Sequence, residues 1–343
     1  MSPTQELVID KNKIPQFIKQ TLSSYIVLGP VKNNNLVSFK QITNSKEITM
    51  DFTNSKVPPK SLYFPQTETL FRFTKDKDIE IETPKNDGKT LVFGIRPCDA
   101  KSLKLLDQVF SGEYEDSLFL SRRKNTTLVG LTCNSPSVNC FCTSVGGNPD
   151  DTTGLDVLLT DIGDKYFVEL LTQKGKNLVE SFNEFKPAKN EDKKKKTVIS
   201  RKARESIQRI VKTEKIEQIL NEIFENKYWG EISRKCLGCG ICTFLCPTCH
   251  CFDIQDETAG KKGARIRIWD SCMYPEYSMQ ASGYNPRPAQ MNRMRNRVYH
   301  KFNYFPKNQH VFGCVGCGRC IDECPVNVDI IEIINKAREV KNE

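Results

Sequence analysis

Nowhere does the sequence approach the roughly 18 uninterrupted apolar residues that a membrane-spanning helix needs, which excludes a transmembrane protein. The opening residues, MSPTQELVIDKNK, lack a basic stretch followed by an apolar one, so the expectation is a cytoplasmic chain with no membrane partner. No G-x-G-x-x-G follows a strand-like run and no G-x-x-x-x-G-K-[ST] occurs, so neither NAD(P) nor ATP has its usual phosphate cradle. H-E-x-x-H and G-x-S-x-G are missing too, and hydrolase chemistry has no visible carrier. The length, 343 residues, suits two domains of ordinary size, each able to bury a core.

Cysteine, in contrast, is abundant. Fifteen of them in a chain expected in a reducing compartment argue for metal binding and against a disulfide scaffold.

Residues 1–185 alternate short β-rich runs (25–31, 36–42, 91–95, 128–131, 157–160 and 166–170) with turns and a helix over 100–110. This predicts an α/β or α+β N-terminal domain. Residues 186–199 hold Pro187 and four consecutive lysines with no apolar period, and read as a charged, solvated linker. A polybasic membrane anchor is disfavoured, since four lysines alone hold weakly. Between 201 and 228, Ile207, Ile210, Val211, Ile216, Ile219, Leu220, Ile223 and Phe224 recur at helical spacing, and residues 330–340 read as a terminal helix. Residues 200–343 are therefore expected to form a mainly helical domain.

Two runs in that domain carry the strongest signal. Cys236, Cys239, Cys242 and Cys246 precede Pro247; Cys314, Cys317, Cys320 and Cys324 precede Pro325. Both read C-x2-C-x2-C-x3-C-P, the spacing of two-cluster ferredoxins, in which three cysteines hold one [4Fe-4S] cubane and the fourth joins the other. Cluster one would take Cys236, Cys239, Cys242 and Cys324, and cluster two Cys314, Cys317, Cys320 and Cys246. Gly238, Gly240, Gly316 and Gly318 stand between the cysteines, where small residues let backbone N–H groups approach sulfur. Zinc favours two C-x2-C knuckles over triple runs ending in C-P, and fits less well. Sixty-seven residues separate Cys246 from Cys314, so an insertion interrupts the ferredoxin unit. Cubanes with four thiolates have no open coordination site and suit electron transfer. Each carries about −2 when oxidised, so two would lower the formal net charge of +9 to about +5, and three to about +3.

Four further cysteines lie in the first domain: Cys98 in GIRPCDA and Cys133, Cys140 and Cys142 in TCNSPSVNCFC. Cys98 and Cys133 follow predicted strands, at the edge where open α/β sheets place their ligands. Together the four would complete a third cubane; the alternative is a set of buried structural thiols. Cys249, Cys251 and Cys272 have no assigned role, and His250 between the first two reads as a packing residue sooner than a ligand. The basic stretch 287–301 offers Arg287, Arg293, Arg295, Arg297 and Lys301, with Tyr299, Phe302 and Tyr304 as stacking faces for nucleic acid. Its position between the cysteine runs favours compensation of cluster charge or docking of an acidic partner, and nucleic acid is not expected to bind.

Taken together, GIRPCDA (94–100), the CFC of Cys140 to Cys142, CLGCGICTFLCPTCHCFD (236–253), RIWDSC (267–272), NPR (285–287), RNRVYHKF (295–302) and CVGCGRCIDECPV (314–326) resemble one group. It is the iron–sulfur family that comprises the beta subunit of cytoplasmic sulfhydrogenases and the A-type iron–sulfur component of anaerobic sulfite reductases. The resemblance extends over almost the whole chain from about residue 25. It implies a non-catalytic electron carrier with two cubanes on the eight cysteines named. Its partners would be a diaphorase-type flavoprotein, exchanging electrons with NAD(P)H or ferredoxin, and a catalytic redox subunit such as a sulfite reductase or nickel–iron hydrogenase. A competing reading makes the Cys98, Cys133, Cys140 and Cys142 crevice a catalytic cluster site in its own right; a nucleic-acid-binding iron–sulfur protein is the third.

Overall fold

The computed structural model describes residues 5–76, 78–84 and 88–340. Its first part is built on an eight-stranded mixed sheet. In chain order the strands are β1 (Gln5–Asp10), β2 (Ile26–Asn33), β3 (Leu36–Gln41), β4 (Thr67–Lys75), β5 (Ile79–Glu82), β6 (Thr90–Ile95), β7 (Thr126–Leu131), β8 (Val157–Asp161), β9 (Lys165–Leu170), β10 (Lys186–Pro187), β11 (Phe252–Ala259) and β12 (Lys262–Trp269). The large sheet runs β10-β1-β9-β8-β7-β6-β2-β3, with β2, β6, β7 and β8 parallel and antiparallel strands on both flanks. β6 and β7 are apolar runs covered on both faces, which is how parallel strands are normally buried. Leu91, Phe93, Val129 and Leu159 face one side, against α1 (Ile14–Thr21) and Leu178. Val92, Ile95, Leu128 and Leu158 face the other, against α2 (Pro97–Phe110) and Phe119 of α3 (Ser117–Lys124).

The six strands and the helix expected between residues 25 and 170 are all present, to within a few residues. The expected linker is not. Lys186–Pro187 pairs with β1, and beyond α4 (Gln173–Glu180) a helix, α5, occupies Asn190–Glu205. Lysine and glutamate are good helix formers without an apolar stripe. Here ion pairs fix the helix to the sheet: Lys196 reaches Glu169 at 3.4 Å and Asp150 at 3.8 Å, and Arg204 reaches Asp150 at 3.1 Å. Residues 206–215 have no regular structure, so the periodic stretch yields only α6 (Ile216–Glu222).

The helical part adds α7 (Tyr228–Ser233), α8 (Ile241–Phe244), α9 (Gln290–Tyr299), α10 (Phe305–Gln309), α11 (Arg319–Asp322) and α12 (Ile330–Val340), packed on Leu220, Trp229, Met294, Phe302 and Ile334. Between α9 and α10 the chain makes a π-helical turn at His300–Tyr304. The insertion between the cysteine runs contributes more than helix. β11 and β12 form a hairpin whose inner strand pairs with β4, giving a second sheet of order β11-β12-β4-β5. Trp269 at its end stacks on Phe64, ring centroids 5.7 Å apart, and donates its indole N–H to the Phe64 carbonyl at 3.0 Å. Arg267 is buried against Glu68 and Asp116. Strands from both halves of the sequence thus complete one sheet. Among the described residues no helix is long and apolar enough to cross a membrane.

Candidate metal centre

The two cysteine runs fold alike. Gly238 and Gly240 have φ of +69° and +75°, and Gly316 and Gly318 have +65° and +78°, a conformation in which glycine carries no steric penalty. In each loop the residue two beyond the first cysteine turns its N–H to that sulfur: Gly238 to Cys236 at 3.4 Å, Gly316 to Cys314 at 3.5 Å. A four-residue helix follows, α8 or α11, and the fourth cysteine comes just after it. Further donors reach the sulfurs: Gln290 Nε2 to Cys236 at 3.1 Å, Val328 N–H to Cys324 at 3.1 Å and Lys301 Nζ to Cys246 at 3.2 Å. Such N–H donors set the charge a sulfur can carry.

Cys236, Cys239, Cys242 and Cys324 line one small cavity of about 20 Å³, together with Met273, Met294, Arg297 and Cys320. Cys246, Cys314, Cys317 and Cys320 form a second, deeper group. Burial first, and then the neighbouring thiolates, push Cys314 up to about 12 and Cys317 and Cys320 to about 11. As free thiolates they repel one another in a medium that solvates them poorly; iron relieves both costs.

The cations point the same way. Arg297 is 2% exposed, lines the cavity, and leaves its Nε without a hydrogen-bond partner. Burial opposes its charge, but Cys242 and Cys320 outweigh that and hold it above its ordinary value. Lys301, 4% exposed, likewise meets only sulfurs, the Thr248 hydroxyl and the Gly313 carbonyl. Neither has a carboxylate partner among the described residues. Buried unpaired cations are costly, and anionic iron–sulfur centres on these cysteines would offset them. Among the described residues no three His, Cys, Asp or Glu side chains converge closely enough to hold a single metal ion.

The first-half cysteines gather around Cys133. Cys98 opens α2 directly after β6, Cys133 follows β7, and Cys142 begins a 3-10 turn. Cys98, Cys140 and Cys142 all interact electrostatically with Cys133, while Cys98 and Cys140 also interact with Cys317. Burial is the main cause of their raised values, carrying Cys142 up to about 12. Their loop sits on the second cysteine run. The Phe141 N–H donates to the Gly316 carbonyl at 2.9 Å, and the Cys140 thiol lies 3.8 Å from the Cys317 carbonyl. Asp99, beside Cys98, makes a bidentate pair with Arg319, beside Cys320, at 2.7 and 2.8 Å. Both are fully buried, at 1% and 3% exposure.

Known proteins agree with this layout. The family model for a 4Fe-4S dicluster domain matches residues 235–328, which span both runs. Sulfhydrogenase 2 subunit beta of Pyrococcus furiosus is 32% identical over 327 residues, covering 95% of this chain and 96% of that one. The chain belongs to the sulfhydrogenase beta-subunit family. No solved structure matches it. It is accordingly an iron–sulfur electron-transfer subunit of the 4Fe-4S dicluster type, related to a component of a multi-subunit hydrogenase.

In this sulfhydrogenase-type subunit the basic stretch 287–301 turns inward. Arg293, Arg297, Lys301, Tyr299 and Phe302 are buried, Arg287 and Arg295 half-buried, and Tyr304 exposed. Arg293 is spent on the Met273, Arg287 and Pro288 carbonyls. His250 packs edge-on against His300 and Phe110 and holds the Thr248 carbonyl at 3.1 Å, as a packing residue. Lys60 has no motif around it in the sequence, yet it is 2% exposed. Its Nζ is 2.7 Å from the Cys249 carbonyl and 4.1 Å from the Trp269 ring centre. Burial lowers its pKa and the neighbouring Cys249, Cys246 and Cys251 oppose that.

Proposed function

We propose that this subunit is a three-cluster relay carrying electrons between a diaphorase-type flavoprotein, or ferredoxin, and a catalytic redox partner of the nickel–iron hydrogenase or sulfite reductase class. Cluster one would be held by Cys236, Cys239, Cys242 and Cys324, cluster two by Cys314, Cys317, Cys320 and Cys246, and a third by Cys98, Cys133, Cys140 and Cys142. When bound, such clusters supply one-electron redox steps at fixed sites without substrate chemistry. The chain's own residues do the rest. Glycine loops bring N–H donors to sulfur, Arg297 and Lys301 balance the anionic charge, and the apolar core around Trp229 and Phe302 keeps water away. A sulfhydrogenase relative favours a hydrogenase as the catalytic partner.

One observation carries the three-cluster reading. The Cys140–Cys142 loop meets the Cys317 loop through the Phe141–Gly316 hydrogen bond, and Asp99, beside Cys98, pairs with Arg319, an arrangement that would link a third centre to the second by a short covalent and hydrogen-bonded path. Iron and acid-labile sulfide on protein purified without oxygen test it. About twelve of each per chain are expected; about eight would leave the first-half cysteines structural. Cys98→Ser is expected to lower the count by about four without unfolding the chain.

A further inference from the structure

Three buried thiols lie outside those twelve. Cys249, Cys251 and Cys272 are 4%, 9% and 6% exposed. Two are brought together by the hairpin that the insertion builds. Phe252 and Trp269 are register partners at its base, so Cys251 leaves β11 where the chain returns from β12, and the Asp270 N–H donates to the Cys251 carbonyl at 3.0 Å. A turn closed by Tyr274 N–H on Ser271 O, at 2.9 Å, then folds Cys272 back. The two thiols pack in one buried cluster with Tyr277 against it, and Cys272 and Tyr277 lower the Cys251 thiol.

The pair sits in the core against which Cys236, Cys242, Cys314, Cys320 and Cys324 pack. Cys272 interacts electrostatically with Cys242 and Arg297; Cys251 does so with Lys301, whose ammonium is 3.2 Å from Cys246. We propose that Cys251 and Cys272 form a two-electron dithiol–disulfide couple that exchanges electrons with the adjacent clusters. This rests on the reading of those clusters as occupied. Starting from the Cys251 thiolate and the protonated Cys272, oxidation joins the two sulfurs, releases the one Cys272 proton and passes two electrons, one at a time, to oxidised [4Fe-4S] clusters; reduction by reduced clusters reverses each step.

The chemistry of the pair supports this. The donated hydrogen bond from Cys272 comes first among the causes that hold Cys251 down at about 6, whereas Cys272 is pushed up by that same bond and by burial. One sulfur is thus thiolate and the other protonated, the asymmetry that a working dithiol needs. Burial shields both from bulky thiol reagents, leaving the clusters as their electron source, while Tyr277 on its half-buried ring offers the proton a way out. Such a couple would store a pair of electrons on a wire whose other stations hold one each.

Reductive titration of the cluster-loaded chain tests it, with dithionite as titrant after oxidation by ferricyanide. The wild type is expected to take up two more electrons to full reduction than either Cys251→Ser or Cys272→Ser, with unchanged iron content. Peptide mass spectrometry of the oxidised wild type should find Cys251 linked to Cys272. Equal electron counts, free Cys251 and Cys272 after oxidation, linkage to Cys249 instead, or loss of iron in either variant would each overturn the proposal. Should a variant fail to fold, the linkage in the wild type decides alone. A wild type that binds no iron would instead refute the relay reading, which separates the two failures.

Discussion

Lys301→Met removes one buried charge beside a cluster ligand. The ammonium donates to the Cys246 sulfur at 3.2 Å, lies 3.6 Å from the Cys249 sulfur, and has no carboxylate to neutralise it among the described residues. Methionine matches its length and unbranched shape, and the Gly313 carbonyl keeps the Thr248 hydroxyl at 2.8 Å, so little is left unsatisfied. Cluster charge is spread over the core, so an effective separation of about 6 Å and an effective dielectric constant of about 20 give roughly 3 kcal/mol for the lost attraction. For a one-electron couple that is roughly 130 mV. The sign follows from the charges. Reduction adds negative charge, the ammonium favours the reduced form, and its removal must lower the potential. Redox titration of the loaded chain followed by electron paramagnetic resonance should show one cluster's midpoint falling by roughly 100 mV and the others moving much less. Lys301→Arg should restore most of the shift. A midpoint unchanged to within about 30 mV, with iron content intact, would refute the charge-compensation argument.

Arg319→Met strands Asp99 as a buried, unpaired carboxylate, and chemical denaturation should show a loss of about 3–5 kcal/mol; Arg319→Met with Asp99→Leu should recover most of it. Gly316→Ala would place a methyl group 2.5 Å from the Cys142 backbone nitrogen at a φ of +65°, so purified protein should carry less iron and melt several degrees lower. Burial, helped by His250 and Lys301, holds His300 down to about 3. Between that value and the ordinary 6.5 the unfolded chain binds a proton that the folded chain does not, so stability should fall as pH drops below about 6.5, by at most about 1.4 kcal/mol per pH unit from this group. Urea midpoints at pH 5.5 and 7.5 should differ less in His300→Phe than in the wild type.

The eight ferredoxin-type cysteines are legible because ferredoxin-type runs share a fixed spacing, and strands β6, β7, β8 and β9 are legible because buried apolar runs leave few alternatives. The sequence conceals β11, whose FDIQDETA is wholly exposed and is a strand only because β12 and β4 provide a sheet for it to join. It conceals α5 for a related reason. A lysine-rich stretch reads as solvated until Glu6, Asp150 and Glu169, distant in sequence, are seen to meet its charges. Nor can hydropathy show that Lys60, Arg297 and Lys301 are buried, since the groups that enclose them are distant in sequence.

That last point explains why the two halves are not independent modules. The second cysteine run is covered by residues of the first half: Asn139 and Cys142 fill the space beside Gly318 and Gly316, Asn54 donates to the Cys317 carbonyl at 3.1 Å, and Ser55 and Asp99 hold Arg319. The first half in turn borrows β11 and β12 from the insertion to finish its second sheet. A ferredoxin unit cut out at its family boundaries, 235–328, would expose Arg319 and lose the wall of the second cysteine loop. The α/β part therefore acts as the shell that keeps the cysteine loops dry and their cations fixed. It also carries four cysteines of its own, and the loop of Cys140 and Cys142 packs directly on the second cysteine run.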